Sequence, residues 1–543
     1  MRAIDLYAGI GGWSLGLRLA GVEVVASYEW WKPAVDTHNG NHGGDLKPID
    51  VRQLRLEDLP SNIHLVVGSP PCTEFSYSNR GGGGDIEEGL KDLVRFLEVV
   101  EHIKPKFWAL ENVPRVAQVL ERGMRDPKHP LYRFRDLGMR IEIVDFSEYG
   151  TPQSRRRCIA GNIPFDLIKS YRPRVPRRTL GDVVEAIAAQ GDIVDPVWGC
   201  VRPRGKVTER ENEYALNAEE LRMNREAKTY HPVYNNMAFP DVVDLPARTV
   251  TATCTRVSRE SIVIGNEADG FRRLSVRERA CLQGFPITYQ FYARSFPEKV
   301  KMVGNAIPPT FTYLVARAAQ DVSAKDLLPY AEAGLGLRQP EMVAPVTPPT
   351  TEGRIYPAGR SFRAALPGLR FKSGMRFELA NGRGLTQDWQ VRFFFGPSVK
   401  IREIALDGDL LRELRKSPLV RNMMMALGVE FTKVDQVLQA STPEDLQAAW
   451  SHRAGGLRPY QVADLLGDLA ARVHERLLAA STDDQHAVIG YVMEAAAEGE
   501  GEGSDSIPGS KKMTTHALPI LSGLLVGAWF NTLPWHRLQK AAA

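Results

Sequence analysis

Leu65 to Ser78, reading LVVGSPPCTEFSYS, constrains this chain more than any other stretch. The apolar run Leu65, Val66, Val67 has the length of a buried strand, and Gly68 and Ser69 stop it. Pro70 and Pro71 then fix successive φ angles directly before Cys72. Reactive groups of an open α/β sheet lie just past the carboxyl ends of its strands, so this order of residues predicts Cys72 at such an end. A cysteine taken at random is best read as a small buried hydrophobe. The rigid Pro-Pro approach and the polar, glycine-rich run that follows argue instead for a nucleophile.

The stretches around it read as further strand ends. AIDLYAGIGGWSLGLRLAG is a strand from Ala3 to Tyr7, a turn with Gly9, Gly11 and Gly12, and an amphipathic helix ending near Gly21. Such a turn presents backbone N–H groups to a nucleotide-like ligand, although tight βα turns use glycine anyway. VEVVASYEWW is a strand ending at Glu29, a carboxylate suited to ribose hydroxyls, and Asp50 precedes the Cys72 strand. No phosphate-binding lysine motif accompanies them, which disfavours a triphosphate. Gly81 to Gly84 predict a mobile loop able to close over a substrate, the plainer alternative being a surface linker. Leu90, Leu93, Val94, Leu97 and Val100 mark one helix face, and FWALENV a strand ending at Glu111 and Asn112. In QSRRR, adjacent arginines are usually a solvated face. Strand alternation would nevertheless point Arg155 and Arg157 the same way, where guanidinium groups suit phosphate or a base.

Length and charge bound the rest. About two to four domains are expected in 543 residues. A net charge of +4 requires any nucleic-acid surface to be a local patch. The 5 cysteines are scattered without a CxxC pair, against a disulfide framework or zinc site and for a reducing compartment. The first strand begins at once, leaving no room for a signal peptide, and Leu518 to Phe530 is too short to span a membrane. The expected location is cytoplasmic, with no metal.

DLYAGIGG, SPPCTEFS, ENV, QSRRR, RRLSVRERACLQGFP and GNAIPP follow one another from Met1 to about Val322 as in the cytosine-5 DNA methyltransferases of bacterial or phage type, which the chain resembles. One departure is Tyr7, where the family usually has phenylalanine. The resemblance implies a Rossmann-like core that uses S-adenosyl-L-methionine to methylate carbon 5 of a flipped cytosine in duplex DNA, through a covalent Cys72 adduct at carbon 6. It implies Glu111, Arg155 and Arg157 as further catalytic residues. Cofactor contacts would come from Asp5, Tyr7, Gly9, Gly11, Gly12, Glu29, Trp30, Asp50, Pro71, Leu90 and Asn305. DNA contacts would come from Ser76, Ser78, Arg80 and Thr251. A separately encoded restriction endonuclease is a further implied partner.

By the same resemblance, residues 1–164 and 271–326 form the catalytic core, and 165–270 a small, loop-rich target recognition domain. GLRQPEMVAPVTPPTTEG reads as a linker over 339–352, followed by a C-terminal α+β domain over 353–543. There, LRFKSGMRFELANG and DWQVRFFFG read as two strands joined at Asn381-Gly382. Arg354, Arg360, Arg363, Arg370, Lys372, Arg376 and Arg392 are interleaved with aromatics, which suits nucleic acid and equally a two-sided β surface. Asp407 to Ala497 read as helices, EGEGEGSDSIPGSKK as disordered, and Leu518 to Trp535 as a core helix or a partner surface. Rival functions on the same core are a tRNA cytosine-5 methyltransferase and a catalytically inactive DNA-binding paralogue. The long insert and extra domain speak against the first, and intact Cys72, Glu111 and Arg157 against the second.

Overall fold

Period-two alternation in the apolar runs sorts side chains onto two faces of one sheet. In the computed structural model this sheet has six strands: β1 (Arg2–Leu6), β2 (Glu23–Tyr28), β3 (Leu65–Gly68), β4 (Phe107–Asn112), β5 (Arg140–Asp145) and β6 (Arg156–Gly161). The structure describes residues 1–72, 75, 85–211, 213–229, 237–348, 355–371, 374–382, 388–396, 401–481, 483, 487–488, 490–492 and 510–534. The strand order is β2-β1-β3-β4-β6-β5. The first four strands run parallel, and β6 runs antiparallel to both β4 and β5.

Ala3, Leu65, Val67, Ala109 and Ile159 share one face with Trp13, Leu15 and Leu17 of α1 (Gly12–Leu19). Ile4, Leu6, Val66, Leu110 and Cys158 share the other with Leu93, Phe96, Leu97 and Val100 of the helix α2 (Ile86–Ile103). Asp85 caps that helix by accepting the Glu88 N–H at 3.1 Å. The chain leaves β1 towards β2 on one side and returns to β3 on the other. The carboxyl ends of β1 and β3 therefore flank a topological switch point, where open α/β sheets bind ligands.

The chain divides into two compact units, Met1–Tyr230 with Asn236–Thr351, and His231–Asn235 with Glu352–Ala543. In the first, the segment after β6 is short on regular structure. It holds the helices Leu180–Ala188 and Ala218–Thr229 and a hairpin of Val263–Asn266 with Gly270–Arg273. Arg273 is buried and forked onto Glu213 at 2.6 and 2.7 Å, so part of the basic RRLSVRER run is internal ion pairing rather than surface. The proline-rich stretch packs against this unit. Ala344 and Thr347 are buried, and Thr347 N–H donates to Glu209 Oε1 at 3.1 Å. Lys299, fully buried, donates to Glu209 Oε1 and to the Pro345 carbonyl, both at 2.5 Å.

The second unit has a four-stranded antiparallel sheet, Arg363–Arg370, Arg376–Asn381, Trp389–Phe395 and Arg402–Ile404. LRFKSGMRFELANG is thus not one strand: Leu369 and Arg370 end one, and Arg376 opens the next, past a turn at Gly374 with φ 84°. Arg363 and Arg376 both bind Glu378, and Arg392 pairs with Glu403 at 2.8 Å; Arg354 and Lys372 lie outside the described residues. Helices include Gly408–Leu414 and Pro459–Leu478, and Ser510–Thr515 takes in the end of the low-complexity run. Ala517–Asn531 is a core helix: Ile520, Leu524 and Val526 are fully buried, and Asn531 donates to the Val391 and Leu406 carbonyls at 2.9 and 2.7 Å.

The packed proline-rich stretch gives a stability test in the full chain. Thr347→Pro deletes the N–H that satisfies buried Glu209 and should cost about 1–3 kcal/mol. Val346→Ala, at a residue 53% exposed, should cost little. Calorimetry reads both, and equal melting curves would mean that residues 339–348 are a solvated linker.

Candidate active site

Cys72 follows β3 at the switch-point edge, and its neighbours in sequence are pinned to adjacent strands. Ser69 N–H donates to the Leu6 carbonyl at 3.2 Å, and Ser69 Oγ accepts from Trp13 Nε1 at 3.1 Å. Asn112, at the end of β4, donates from Nδ2 to the Pro70 carbonyl at 3.0 Å. The Cys72 carbonyl accepts the Phe75 N–H at 3.0 Å. The Pro-Pro turn is therefore tied on both sides, and Asn112 is a structural member of the site that sequence reading named only as a polar strand end.

The reversal of β6 completes the cluster. Because β6 runs antiparallel to β4, its beginning lies beside the end of β4, with Asn112 opposite Cys158 and Glu111 opposite Ile159. Arg157 Nε thereby meets Glu111 Oε1 at 3.1 Å, with both side chains largely buried. Arg155 is 2% exposed and donates from Nη1 to the Val250 carbonyl at 3.0 Å and from Nη2 to the Gly304 carbonyl at 2.9 Å. It joins the loop carrying Thr251 to the helix Phe296–Asn305. Gln153, which opens QSRRR and carries no role in the sequence analysis, adds to this joint by accepting the Val250 N–H at 2.8 Å and donating to Gln283 Oε1 at 2.5 Å.

Charge around Cys72 is divided. Burial pushes its thiol above the ordinary value and the Glu111 carboxylate pushes it further, while Arg157 and Arg155 pull it down. Burial, with Arg157 beside it, lowers the Arg155 guanidinium, which nonetheless keeps its proton at neutral pH.

The second cluster lies past β1 and β2. Glu29, 8% exposed, accepts the Gly9 N–H at 2.9 Å on Oε2, and the Trp30 and Trp31 N–H groups at 2.9 and 2.7 Å on Oε1. Burial raises its pKa despite these donors. Gly11 holds φ 89°, and a Cβ there would meet His42 Nε2 at 2.4 Å. Gly12 opens α1 against the Ile307 carbonyl, which a Cβ would meet at 2.2 Å. Trp30 is 63% exposed beside Glu29. Asp50 caps a short turn by accepting the Arg52 N–H at 2.9 Å.

Tyr7, at φ 53°, is buried, with its hydroxyl on Asp92. Asp5 is fully buried beneath the glycine turn. Its Oδ2 accepts Ser14 Oγ at 2.7 Å, its Oδ1 has no partner among the described residues, and burial pushes it up to about 7.

The remaining candidates are more scattered. Leu90 is half-buried on the helix Ile86–Ile103, packed against the core cluster that contains Tyr7. Pro71 and Asn305 are exposed, and half-buried Thr251 donates to the Thr253 carbonyl at 2.9 Å. Ser76, Ser78, Arg80 and Gly81 to Gly84 lie outside the described residues. Among the described residues no His, Cys, Asp and Glu cluster could hold a metal, and no helix is long and apolar enough to cross a membrane.

Known proteins share this arrangement of motifs. A family model for the C-5 cytosine-specific DNA methylase matches residues 1–321. Type II methyltransferase M.FnuDI of Fusobacterium nucleatum is 27% identical over 337 residues, which cover 59% of this chain and 94% of the relative. M.MthTI of Methanothermobacter thermautotrophicus is 28% identical over 329 residues, covering 57% and 93%. M.HindV of Haemophilus influenzae is 27% identical over 327 residues, covering 59% and 96%. The chain belongs to the C-5 cytosine-specific DNA methylase family and is a DNA cytosine-5 methyltransferase whose methyl donor is S-adenosyl-L-methionine.

Proposed function

We propose that Cys72, Glu111 and Arg157 are the catalytic residues, that Arg155 positions them, and that the substrate is a short defined sequence in double-stranded DNA. The observation that carries this reading is the Glu111–Arg157 ion pair, held where the charges of both act on the Cys72 sulfur. Carbon 5 of cytosine is a poor nucleophile. Addition of the Cys72 thiolate forms a sulfur–carbon 6 bond and moves the ring's π electrons to carbon 5. Glu111 holds a proton at ring nitrogen 3 and accepts from the exocyclic amine, and Arg157 donates to the base carbonyl oxygen, so charge developing on the ring is neutralised. Once carbon 5 carries the methyl group, loss of its proton to solvent re-forms the carbon 5–carbon 6 double bond as the sulfur–carbon 6 bond breaks, and its electron pair returns to Cys72 as the thiolate. Carbon 6 is covered in a stacked duplex, so the base is flipped out.

The cofactor supplies an electrophilic methyl group on a sulfonium. The chain's residues fit it: Glu29 Oε2, which accepts the Gly9 N–H, keeps a lone pair for a ribose hydroxyl, while both lone pairs of Oε1 are taken by the Trp30 and Trp31 N–H groups. Exposed Trp30 offers an aromatic face, and Asp50 keeps an oxygen for the adenine amine. Tyr7, Gly9, Gly11, Gly12, Asp5, Pro71, Leu90 and Asn305 are proposed to line or support the same site, and Ser76, Ser78, Arg80 and Thr251 are proposed as DNA contacts. The domain boundaries are proposed as 1–164 with 271–326 for the core, 165–270 for target recognition and 353–543 for the C-terminal unit. Because the relatives named above are Type II methyltransferases, the chain is further proposed to serve a restriction-modification system in the cytoplasm, with a separately encoded endonuclease.

Cys72 reactivity tests the electrostatic part. Single-turnover methylation should rise with pH from 7 to 9, because the thiol lies above its ordinary value and only the thiolate attacks. Glu111→Gln should speed iodoacetamide alkylation of Cys72 by up to about tenfold while slowing methyl transfer by about 10²–10⁴-fold. Arg157→Ala should slow alkylation. Peptide mass spectrometry reads the labelled cysteine, and slower alkylation of Glu111→Gln would contradict the assignment.

The substrate is tested by trapping. A duplex with 5-fluorocytosine at the target should form a denaturation-resistant adduct with wild-type protein and none with Cys72→Ala, which should still bind cofactor. An adduct with tRNA in preference to duplex DNA, or with the alanine variant, would overturn the proposal.

A further inference from the structure

Tyr7 stands where the family usually has phenylalanine, and its hydroxyl is not idle. It donates to Asp92 Oδ1 at 3.1 Å, with the Asp92 carbonyl at 3.3 Å as a second acceptor. Asp92 is 5% exposed, and its carboxylate is forked by Arg52, Nε to Oδ1 at 2.8 Å and Nη2 to Oδ2 at 2.6 Å. The third guanidinium nitrogen reaches Glu88 Oε1 at 2.5 Å. The backbone N–H of the same Arg52 is the donor to Asp50 Oδ1. A second arginine, Arg95, bonds the Val51 carbonyl at 3.1 Å and also the Leu54 carbonyl, clamping this turn to the helix Ile86–Ile103.

Tyr7 holds its ring position with a left-handed backbone, φ 53°, a conformation that residues other than glycine seldom adopt. Such a conformation persists only where its surroundings over-determine it. The Asp92 bond supplies that, because a carboxylate already fixed by a bidentate guanidinium is a rigid acceptor. One arginine thus reaches Tyr7 through Asp92 and Asp50 through its own backbone.

We propose that Arg52 and Asp92 are positioning residues for the adenine end of the cofactor, holding Tyr7 against the purine face and Asp50 towards its amino group. The inference rests on the cofactor-site reading given above. Its consequence is recognition of a 6-aminopurine rather than general affinity: loosening Asp50 erodes discrimination against a 6-oxopurine, whereas loosening Tyr7 weakens both ligands alike.

The test is calorimetric binding of S-adenosyl-L-homocysteine and its 6-oxo analogue S-inosyl-L-homocysteine to the full-length protein. Tyr7→Phe, which leaves the Arg52–Asp92 fork intact, should weaken both ligands by about fivefold. Asp92→Asn should weaken both by about tenfold or more, and most of that loss should vanish in the Tyr7→Phe background. Arg52→Ala should weaken the adenine ligand more than the hypoxanthine ligand, shrinking the wild-type preference at least severalfold. Glu29→Gln, on the ribose side, separates the two levels of the reading. If it leaves affinity unchanged, the cofactor-site reading fails. If it weakens binding while Tyr7→Phe and Arg52→Ala leave affinity and preference at wild-type values, the positioning role is overturned. Equal loss of both ligands in Arg52→Ala would overturn the Asp50 arm.

Discussion

The antiparallel pairing of β6 with β4 is the constraint on which the candidate active site depends. In an all-parallel sheet the beginning of β6 would lie at the far edge, away from the carboxyl ends of the other strands. Reversal brings Arg155 to Arg157 to the edge where β3 releases Cys72 and β4 ends in Glu111 and Asn112. The Glu111–Arg157 pair at 3.1 Å is the direct product of that register. Arg155, one step further along, reaches the Val250 and Gly304 carbonyls, so the same strand end ties the preceding segment and the returning helix to the sheet.

A buried ion pair is not in itself a source of stability, because desolvating both charges offsets much of their attraction. Its value here lies in what it does to its neighbour. Burial and Glu111 hold Cys72 as a thiol, and the arginines oppose them. In the mechanism proposed above, a base that engages Glu111 removes part of the charge that raises the Cys72 thiol, so that activation of the proposed nucleophile would be coupled to occupancy of the site.

Much of this was legible in the sequence because strand ends announce themselves. Apolar runs stopped by Gly68-Ser69, Glu29 and Glu111-Asn112 place their last residues at one edge of the sheet. Alternation correctly separates exposed Arg156 from buried Arg155 and half-buried Arg157. Contacts between distant segments were not legible. Nothing local to Asp92 marks it as the acceptor for Tyr7, 85 residues away, and nothing in MVAPVTPP shows that Thr347 satisfies Glu209. LRFKSGMRFELANG reads as one strand because its apolar alternation continues through the turn, whereas one strand ends at Arg370 and the next opens at Arg376, past the positive φ of Gly374. The uniformly apolar helix Ala517–Asn531 has no polar stripe, so its sequence cannot say what covers it; Phe377, Val391 and Leu406 of its own unit do.

The Cys72 cluster is proposed to drive methylation at carbon 5 of cytosine in DNA. The test is to incubate the purified protein with duplex DNA and isotopically labelled S-adenosyl-L-methionine, digest the DNA and identify the labelled nucleoside by mass spectrometry. The expected result is label in 5-methyl-2′-deoxycytidine alone, confined to one short sequence context. Label on an exocyclic nitrogen of cytosine or adenine would contradict it, because those positions need neither a thiolate at carbon 6 nor the Glu111–Arg157 pair.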